Sequence, residues 1–151
     1  MAITAVVGLV WAGNAASNAP VTTLPPPITP NGHARAAASA PVTIEQWADF
    51  QCPACAQFAR QTEPQLLSVY VANGQVALVF HHMAFLGEES NRAAEAAECA
   101  GEQGQFFAFH DKLYASQAGE NRGTFSKDNL KRFGAELGLG AAFATCVDSG
   151  R

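Results

Sequence analysis

Two cysteines three positions apart, Cys52 and Cys55, stand in the segment DFQCPAC at residues 49–55. Such a pair can bind zinc, form a structural disulfide or act as a reversible redox couple. Structural zinc sites usually take their ligands from two close pairs, whereas the remaining cysteines, Cys99 and Cys146, are far apart in the chain. A structural disulfide across so short a loop adds little stability. The spacing therefore favours a redox couple.

The flanking sequence predicts how the pair is positioned. Residues 42–50 are rich in β-branched and aromatic side chains, which predicts a strand buried on both faces. Cys52 as N-cap and Pro53 at the first helical position then open a helix to about residue 71. The positive end of the helix dipole would favour a thiolate at Cys52, and Cys55, one turn inside, would be shielded yet close enough to form the disulfide.

A second strand and a group of helices follow in the predicted order. Pro64 should kink the first helix, and Asn73-Gly74 should end it. The pattern predicts a strand over 75–83 and helices over 88–102, 105–117, 126–138 and 141–148. Strand, helix, strand and then helices indicate an α/β fold.

The first forty residues differ in composition from the rest. The apolar run from Ile3 to Ala12 is followed by small residues, so we expect residues 1–19 to be a signal peptide or the remnant of a membrane anchor, with a buried helix or strand as the alternative. Residues 20–41 are rich in Pro and Ala and predict an extended linker. The folded unit is then expected to begin near Pro41.

Composition and charge limit the class of protein. The chain has 151 residues, 48% of them hydrophobic and 15% charged, which suits one domain plus a tail. Its formal net charge of −4 makes nucleic acid an unsuitable partner.

Three stretches carry a resemblance to a known family. They are VTIEQWADFQCPACAQFARQTEPQL, HHMAFLGEESNRAAEAAECAGEQGQFFAFHDKLYASQ and FSKDNLKRFGAELGL. Together they resemble the DsbA-like thiol:disulfide oxidoreductases of the thioredoxin superfamily. The resemblance implies a thioredoxin-like domain over 42–151 with a helical insertion at about 87–149. It also implies that Cys52 is the exposed, attacked sulfur and Cys55 the buried one.

The same resemblance implies an activity and a compartment. A DsbA-like protein introduces disulfides into secreted or cell-envelope proteins, at the periplasm or the outer face of the membrane, as a secreted or membrane-anchored enzyme. Its partners would be reduced or misfolded client proteins and a membrane quinone-linked oxidase of the DsbB or vitamin K epoxide reductase-like type, and it would need no soluble cofactor. A disulfide reductase or isomerase of the same fold, and a non-enzymatic tethered module that binds clients, are the alternatives.

The sequence departs from the family pattern in three places. Gln46 stands where the family commonly has a buried acidic residue that relays a proton, and the adjacent Glu45 should point to the opposite face. The dipeptide Pro53-Ala54 lacks the histidine of the strongly oxidising members, so we expect weaker thiolate stabilisation. The family's last two strands, final helix and cis-proline loop would lie beyond Arg151, which predicts a C-terminally incomplete domain.

Cys99 and Cys146 fall on two predicted helices of the insertion. In an oxidising compartment two such cysteines are expected to pair as a structural disulfide, and some DsbA-like relatives carry a bridge in this region. Two buried free thiols and a second redox role are the alternatives.

The histidines and large aromatic residues are expected to pack within the fold rather than to bind a metal or take part in catalysis. His81 and His82 are neighbours in a strand and should point to opposite faces, so together they cannot chelate one ion, and no metal site is expected. His110 is expected at an interface of the insertion. The large aromatic side chains are expected in the core: Trp47, Phe106, Phe107 and Phe109.

Overall fold

The computed structural model of the protein describes residues 33–36 and 39–150. The expected signal or anchor at 1–19 and most of the expected linker lie outside these residues. A three-stranded sheet has the order β1-β3-β2, where β1 is Ala34–Arg35, β2 is Val42–Ala48 and β3 is Val76–His82. β2 and β3 run parallel, and both therefore end at the same edge of the sheet.

β1 lies within the segment predicted to be a linker. It pairs antiparallel with β3, with Ala34 opposite Val79, and Ala34, Arg35 and Ala36 are all buried. The prediction that the folded unit begins near Pro41 is therefore wrong. Small alanine side chains gave no strong hydrophobic signal in the sequence, yet Ala34 and Ala36 are almost fully buried beside β3.

β2 is less buried than its composition predicts. Val42 is 52% exposed and Trp47 59% exposed, so burial on both faces and the core position of Trp47 are wrong predictions. In the described part of the chain β2 pairs only with β3, which leaves one of its edges open. Trp47 covers part of its ring by stacking on His81, with the ring centroids 4.3 Å apart.

The helical run at residues 53–71, here called the CxxC helix, is irregular. It consists of α1 (Pro53–Gln57), a π-helical turn (Phe58–Thr62), α2 (Glu63–Leu66) and a second π-helical turn (Leu67–Val71). Pro64 has no N–H to donate, so one hydrogen bond of a regular α-helix is missing within this run. The run ends before Gly74, whose φ of 71° suits glycine.

Four helices follow β3, in the order that the sequence predicts. They are α3 (Glu88–Gly101), α4 (Phe106–Ser116), α5 (Lys127–Glu136) and α6 (Ala141–Ser149). The alanine face of α3 is fully buried, and so are the side chains of Phe106 and Phe109 on α4, whereas Phe107 is only partly buried. α5 and α6 approach so closely that a Cβ at Gly134 would lie 2.2 Å from the Phe143 ring.

A disulfide joins Cys99 on α3 to Cys146 on α6, and their Cα atoms are 5.8 Å apart. Both residues are buried in the core of the helical part. This bond crosslinks the two ends of the helical insertion.

None of the helices within the described residues combines the length and the apolar character that a bilayer crossing requires.

Candidate active site

Cys52 and Cys55 lie where the sequence predicts them, at the start of α1. Cys52 is the N-cap in an extended conformation, with φ −70° and ψ 122°, and Pro53 occupies the first turn. The Cys52 carbonyl accepts the first helical hydrogen bond, from Ala56 N at 3.0 Å. Both cysteines are free thiols and both are half-buried, so the structure does not show the predicted contrast in exposure. Both residues are thus partly exposed to solvent.

The two thiols differ in their electrostatic environment. Burial raises the pKa of the Cys55 thiol above its ordinary value, and a backbone hydrogen bond with Asp49 opposes this shift. A hydrogen bond and electrostatic repulsion from Cys52 raise the Cys55 pKa further. Cys55 therefore tends to hold its proton, which it can donate to a Cys52 thiolate.

Asp49 organises the loop that carries the cysteine pair, although the sequence analysis did not single it out. Its carboxylate is only 1% exposed. One oxygen accepts hydrogen bonds from Gln51 N and Ser90 Oγ, both at 2.7 Å. The other accepts from Phe85 N at 2.9 Å and Leu86 N at 3.1 Å. One buried acid thus fixes both the CxxC loop and the loop after β3.

The helical insertion holds the same loop through amide side chains. The fully buried Gln51 accepts a hydrogen bond from Asn121 N at 2.6 Å. Gln117 Nε2 donates to the carbonyls of Phe50 at 2.8 Å and Cys52 at 3.1 Å. These contacts join residues more than sixty positions apart, which is why local sequence patterns could not reveal them.

Gln46 lies on β2, on the face of the sheet that α4 covers. It is paired with Phe80 on β3, and residues paired across two strands share a face. The Phe80 ring contacts the His110 ring of α4, with centroids 4.9 Å apart. Glu45 is exposed and lies on the other face, in agreement with the predicted alternation.

A group of ionisable residues from β1, the CxxC helix and α4 is here called the Arg35 cluster: Arg35, Glu63 and His110 are buried, and Asp111 is exposed. Glu63 is 2% exposed and His110 is fully buried. Arg35 lies 3.6 Å from Glu63 and 2.6 Å from Asp111, and His110 Nδ1 lies 2.8 Å from the same Asp111 oxygen. The interface position predicted for His110 is confirmed, whereas the sequence gave no signal for a buried Glu63.

Burial raises the pKa of Glu63, and the charges of His110 and Arg35 partly offset that effect. Tyr114 is buried on α4, and its hydroxyl donates to the Asp49 carbonyl at 3.4 Å. Burial strongly raises its pKa, and the charges of Cys55 and Glu63 raise it further. Electrostatic coupling thus reaches from the thiol pair to the cluster.

His81 and His82 point to opposite faces of the sheet, as predicted. His81 stacks on Trp47, whereas the His82 ring contacts Phe80 and Phe106. His82 Nε2 lies 2.9 Å from Glu98 Oε1, and His33 Nε2 lies 3.1 Å from the same oxygen. Burial of Glu98 opposes its ionisation, but hydrogen bonds from His33 and His82 outweigh this and lower the Glu98 pKa to about 2.

The sequence matches one family model and several known proteins. The family model described as thioredoxin matches residues 29–151. The sequence is 38% identical over 80 residues to a probable disulfide bond formation protein D of Bacillus anthracis, covering 52% of this chain and 37% of that protein. It is also 39% identical over 94 residues to the Na(+)/H(+) antiporter NhaA 3 of Salinispora tropica, covering 60% of this chain and 14% of that protein. The chain thus spans less than half the length of either relative.

A solved structure has the same fold. The oxidised BdbD of Bacillus subtilis superposes with a TM-score of 0.73 at 22% sequence identity, over 83% of this chain and 70% of that one. The matched region of the family model extends over the sheet, the CxxC helix and all four later helices. The chain therefore belongs to the thioredoxin family.

Proposed function

We propose that the protein is an extracytoplasmic thiol:disulfide oxidoreductase that introduces disulfides into secreted or cell-envelope proteins. The observation that carries this proposal is the placement of Cys52 at the N-terminus of α1 with Cys55 one turn inside, in a chain related to a disulfide bond formation protein. The N-terminus of a helix is a position that generally favours a cysteine as leaving group, because the helix dipole is positive there.

The reaction proceeds through a mixed disulfide. A client thiolate attacks Cys52 Sγ of the oxidised enzyme, the Cys52–Cys55 bond breaks, and Cys55 takes up a proton. A second client thiolate then attacks the client sulfur of the mixed disulfide, and Cys52 leaves as a thiolate. The client loses two electrons and the enzyme gains them.

The raised pKa of Cys55 suits this sequence of steps. Because Cys55 favours its protonated form, it is a weak competitor for the mixed disulfide after the first step. The client's second thiol then has time to react. The half-buried Gln46 on β2 stands where the resemblance to the DsbA-like proteins implies an acidic residue that relays the proton of Cys55.

An apolar surface lies next to the cysteine pair. Met83 and Phe85 follow β3 at the sheet edge that also carries Cys52, and they are 48% and 61% exposed. Phe85 N is bonded to the Asp49 carboxylate, which fixes this loop against the CxxC loop. Exposed apolar side chains beside a reactive sulfur suit an unfolded protein client.

The reduced enzyme must pass its two electrons to another protein. We propose a membrane quinone-linked oxidase of the DsbB or vitamin K epoxide reductase-like type, so that no soluble cofactor takes part. The oxidising compartment, at the periplasm or the outer face of the membrane, keeps the couple oxidised between client turnovers.

Redox titration and three substrates test the proposal. An oxidase should reoxidise reduced ribonuclease A, and its couple should titrate well above about −300 mV, the range of structural disulfides. Preferential rescue of scrambled ribonuclease A would instead identify an isomerase, and reduction of insulin a reductase. A couple that resists reduction below about −300 mV would identify a client-binding module with a structural disulfide.

Two cysteine variants complete the test. Cys52→Ser should abolish oxidation of ribonuclease A, and Cys55→Ser should accumulate a mixed disulfide with it. A Cys55→Ser variant that traps no client would contradict the mechanism. The double variant Cys99→Ala/Cys146→Ala is the matched control, because it removes two cysteines outside the site and should retain the activity.

A further inference from the structure

Three metal-ligating side chains converge away from the cysteine pair. His33 precedes β1, His82 ends β3 and Glu98 lies on α3. Glu98 Oε1 is 3.1 Å from His33 Nε2 and 2.9 Å from His82 Nε2, and all three ligand atoms lie within 4.8 Å of one another. The fold thus brings together donors from three separate elements.

Both the donors and their spacing suit a zinc-type ion. Two imidazole nitrogens and a carboxylate oxygen form a common ligand set for Zn²⁺. Bonds of about 2.0–2.2 Å in a tetrahedral site place neighbouring ligand atoms about 3.3 Å apart. The separations of 3.1 and 2.9 Å are slightly shorter than this value, so small side-chain movements would admit the ion.

The surroundings hold the ligands in place. The His33 ring packs on Phe106 with a centroid distance of 4.0 Å, and the His82 ring contacts Phe80 and Phe106 at 5.3 and 5.7 Å. The two imidazoles are therefore largely buried, whereas the Glu98 side chain is 37% exposed. Solvent can reach the site from the Glu98 side and supply a fourth ligand.

The Arg35 cluster offers a second set of possible ligands, Glu63, His110 and Asp111, but its charge disfavours a cation. The Arg35 guanidinium lies 2.6 Å from Asp111 and 3.6 Å from Glu63. A metal ion there would have to compete with this guanidinium for both carboxylates. The site at His33, His82 and Glu98 is thus the better candidate.

We propose that His33, His82 and Glu98 bind a divalent transition-metal ion of the zinc type. The ion would link three elements, the residue before β1, the end of β3 and α3. It would therefore fasten the N-terminal strand to the rest of the fold, independently of the redox reaction at Cys52. The sequence predicted no metal site, because the proximity of His33 and His82 is visible only in the folded protein. The proposed site replaces that prediction.

Zinc binding to the oxidised protein tests the proposal. Oxidation of Cys52 and Cys55 prevents that pair from binding the metal, so equilibrium dialysis against ZnCl₂ reports on the remaining donors. We expect one Zn²⁺ per chain, and at least tenfold weaker binding by Glu98→Gln and by His33→Gln. Added Zn²⁺ should also raise the melting temperature of the unmodified protein more than that of either variant.

His81→Gln is the matched control, because His81 adjoins His82 in β3 but lies on the opposite face. It should bind Zn²⁺ like the unmodified protein. Circular dichroism verifies that each variant is folded, and His33→Gln, which alters no residue of the central strands, keeps the test valid if Glu98→Gln does not fold. Absence of stoichiometric zinc, or equal zinc binding by His33→Gln, Glu98→Gln and His81→Gln, would overturn the proposal.

Discussion

The side-chain oxygen of Gln51 accepts a hydrogen bond from the backbone N–H of Asn121 at 2.6 Å, across 70 residues of chain. Asn121 Nδ2 in turn donates to the Leu86 carbonyl at 2.8 Å. The residue before Cys52 and the loop after β3 are thereby tied to one point of the helical insertion. Because Gln51 adjoins Cys52, the orientation of the reactive cysteine depends on the insertion as well as on the sheet.

Asp49→Asn should destabilise the protein and loosen the CxxC loop. The carboxylate accepts four hydrogen bonds, two at each oxygen. An amide nitrogen in place of one oxygen cannot accept, so two donors would lose their acceptor. Leaving buried donors unpaired costs about 1–3 kcal/mol. Chemical denaturation measures the loss, and Asp128→Asn is the control because that side chain is 95% exposed. Equal stability of the two variants would mean that water replaces the lost acceptor.

Iodoacetamide should alkylate Cys52 of the reduced protein much faster than Cys55 near neutral pH. Only the thiolate reacts, and burial raises the pKa of Cys55, which keeps that thiol protonated. Both residues are half-buried, and the same ratio measured after unfolding in urea, where access is equal, separates protonation from access. Peptide mass spectrometry after a short exposure measures the ratio, and equal labelling would refute the assignment of roles.

Short-range signals in the sequence predicted much of the fold. The N-cap Cys52, the helix-initiating Pro53, the breaker pair Asn73-Gly74 and the apolar run of β3 all act within a few residues. The predicted helix bounds consequently agree with the observed ones to within a few positions. The assignment of the redox couple also rests on local spacing.

Long-range contacts explain what the sequence could not predict. β1 has no local strand signal and is fixed by its pairing with β3. No local pattern marks Glu63 as buried, and the nearby Arg35 and His110 give it charged neighbours inside the protein. The exposure of Trp47 depends on which strands flank β2, and side-chain type does not determine this.

Removal of the Cys99–Cys146 disulfide should lower stability but leave the redox couple intact. The bond closes a loop of 47 residues, which corresponds to roughly 4 kcal/mol in the chain-entropy account. Denaturation of the Cys99→Ala/Cys146→Ala variant measures this loss, and glutathione titration measures the potential of Cys52–Cys55. A changed potential would show that α3 and α6 influence the active site.

Stability should fall as pH rises through the titration of Glu63. Burial raises its pKa above the ordinary 4.5, so the folded protein binds this proton more tightly than the unfolded chain does. The contribution is fully present below pH 4.5 and is lost as pH rises through the pKa of the folded state. Glu63→Gln should flatten this part of the stability profile, whereas Glu45→Gln, at an exposed position, should not. Parallel profiles for the protein and Glu63→Gln would contradict the prediction.

Gln46→Glu should speed reactions in which the Cys55 thiol gains or loses its proton. Gln46 shares a sheet face with Phe80, so a carboxylate there would lie on the covered side of β2, while Glu45 lies on the exposed side. A positioned carboxylate can accept and return a proton, and we expect a gain of roughly tenfold or more in the rate at which Cys55 resolves a mixed disulfide with glutathione. Stopped-flow measurement between about pH 6 and 8 follows this step, since Cys55 must lose its proton before it attacks. Thr43→Glu, on another exposed position of β2, controls for added negative charge, and equal rates in all three proteins would show that water relays the proton.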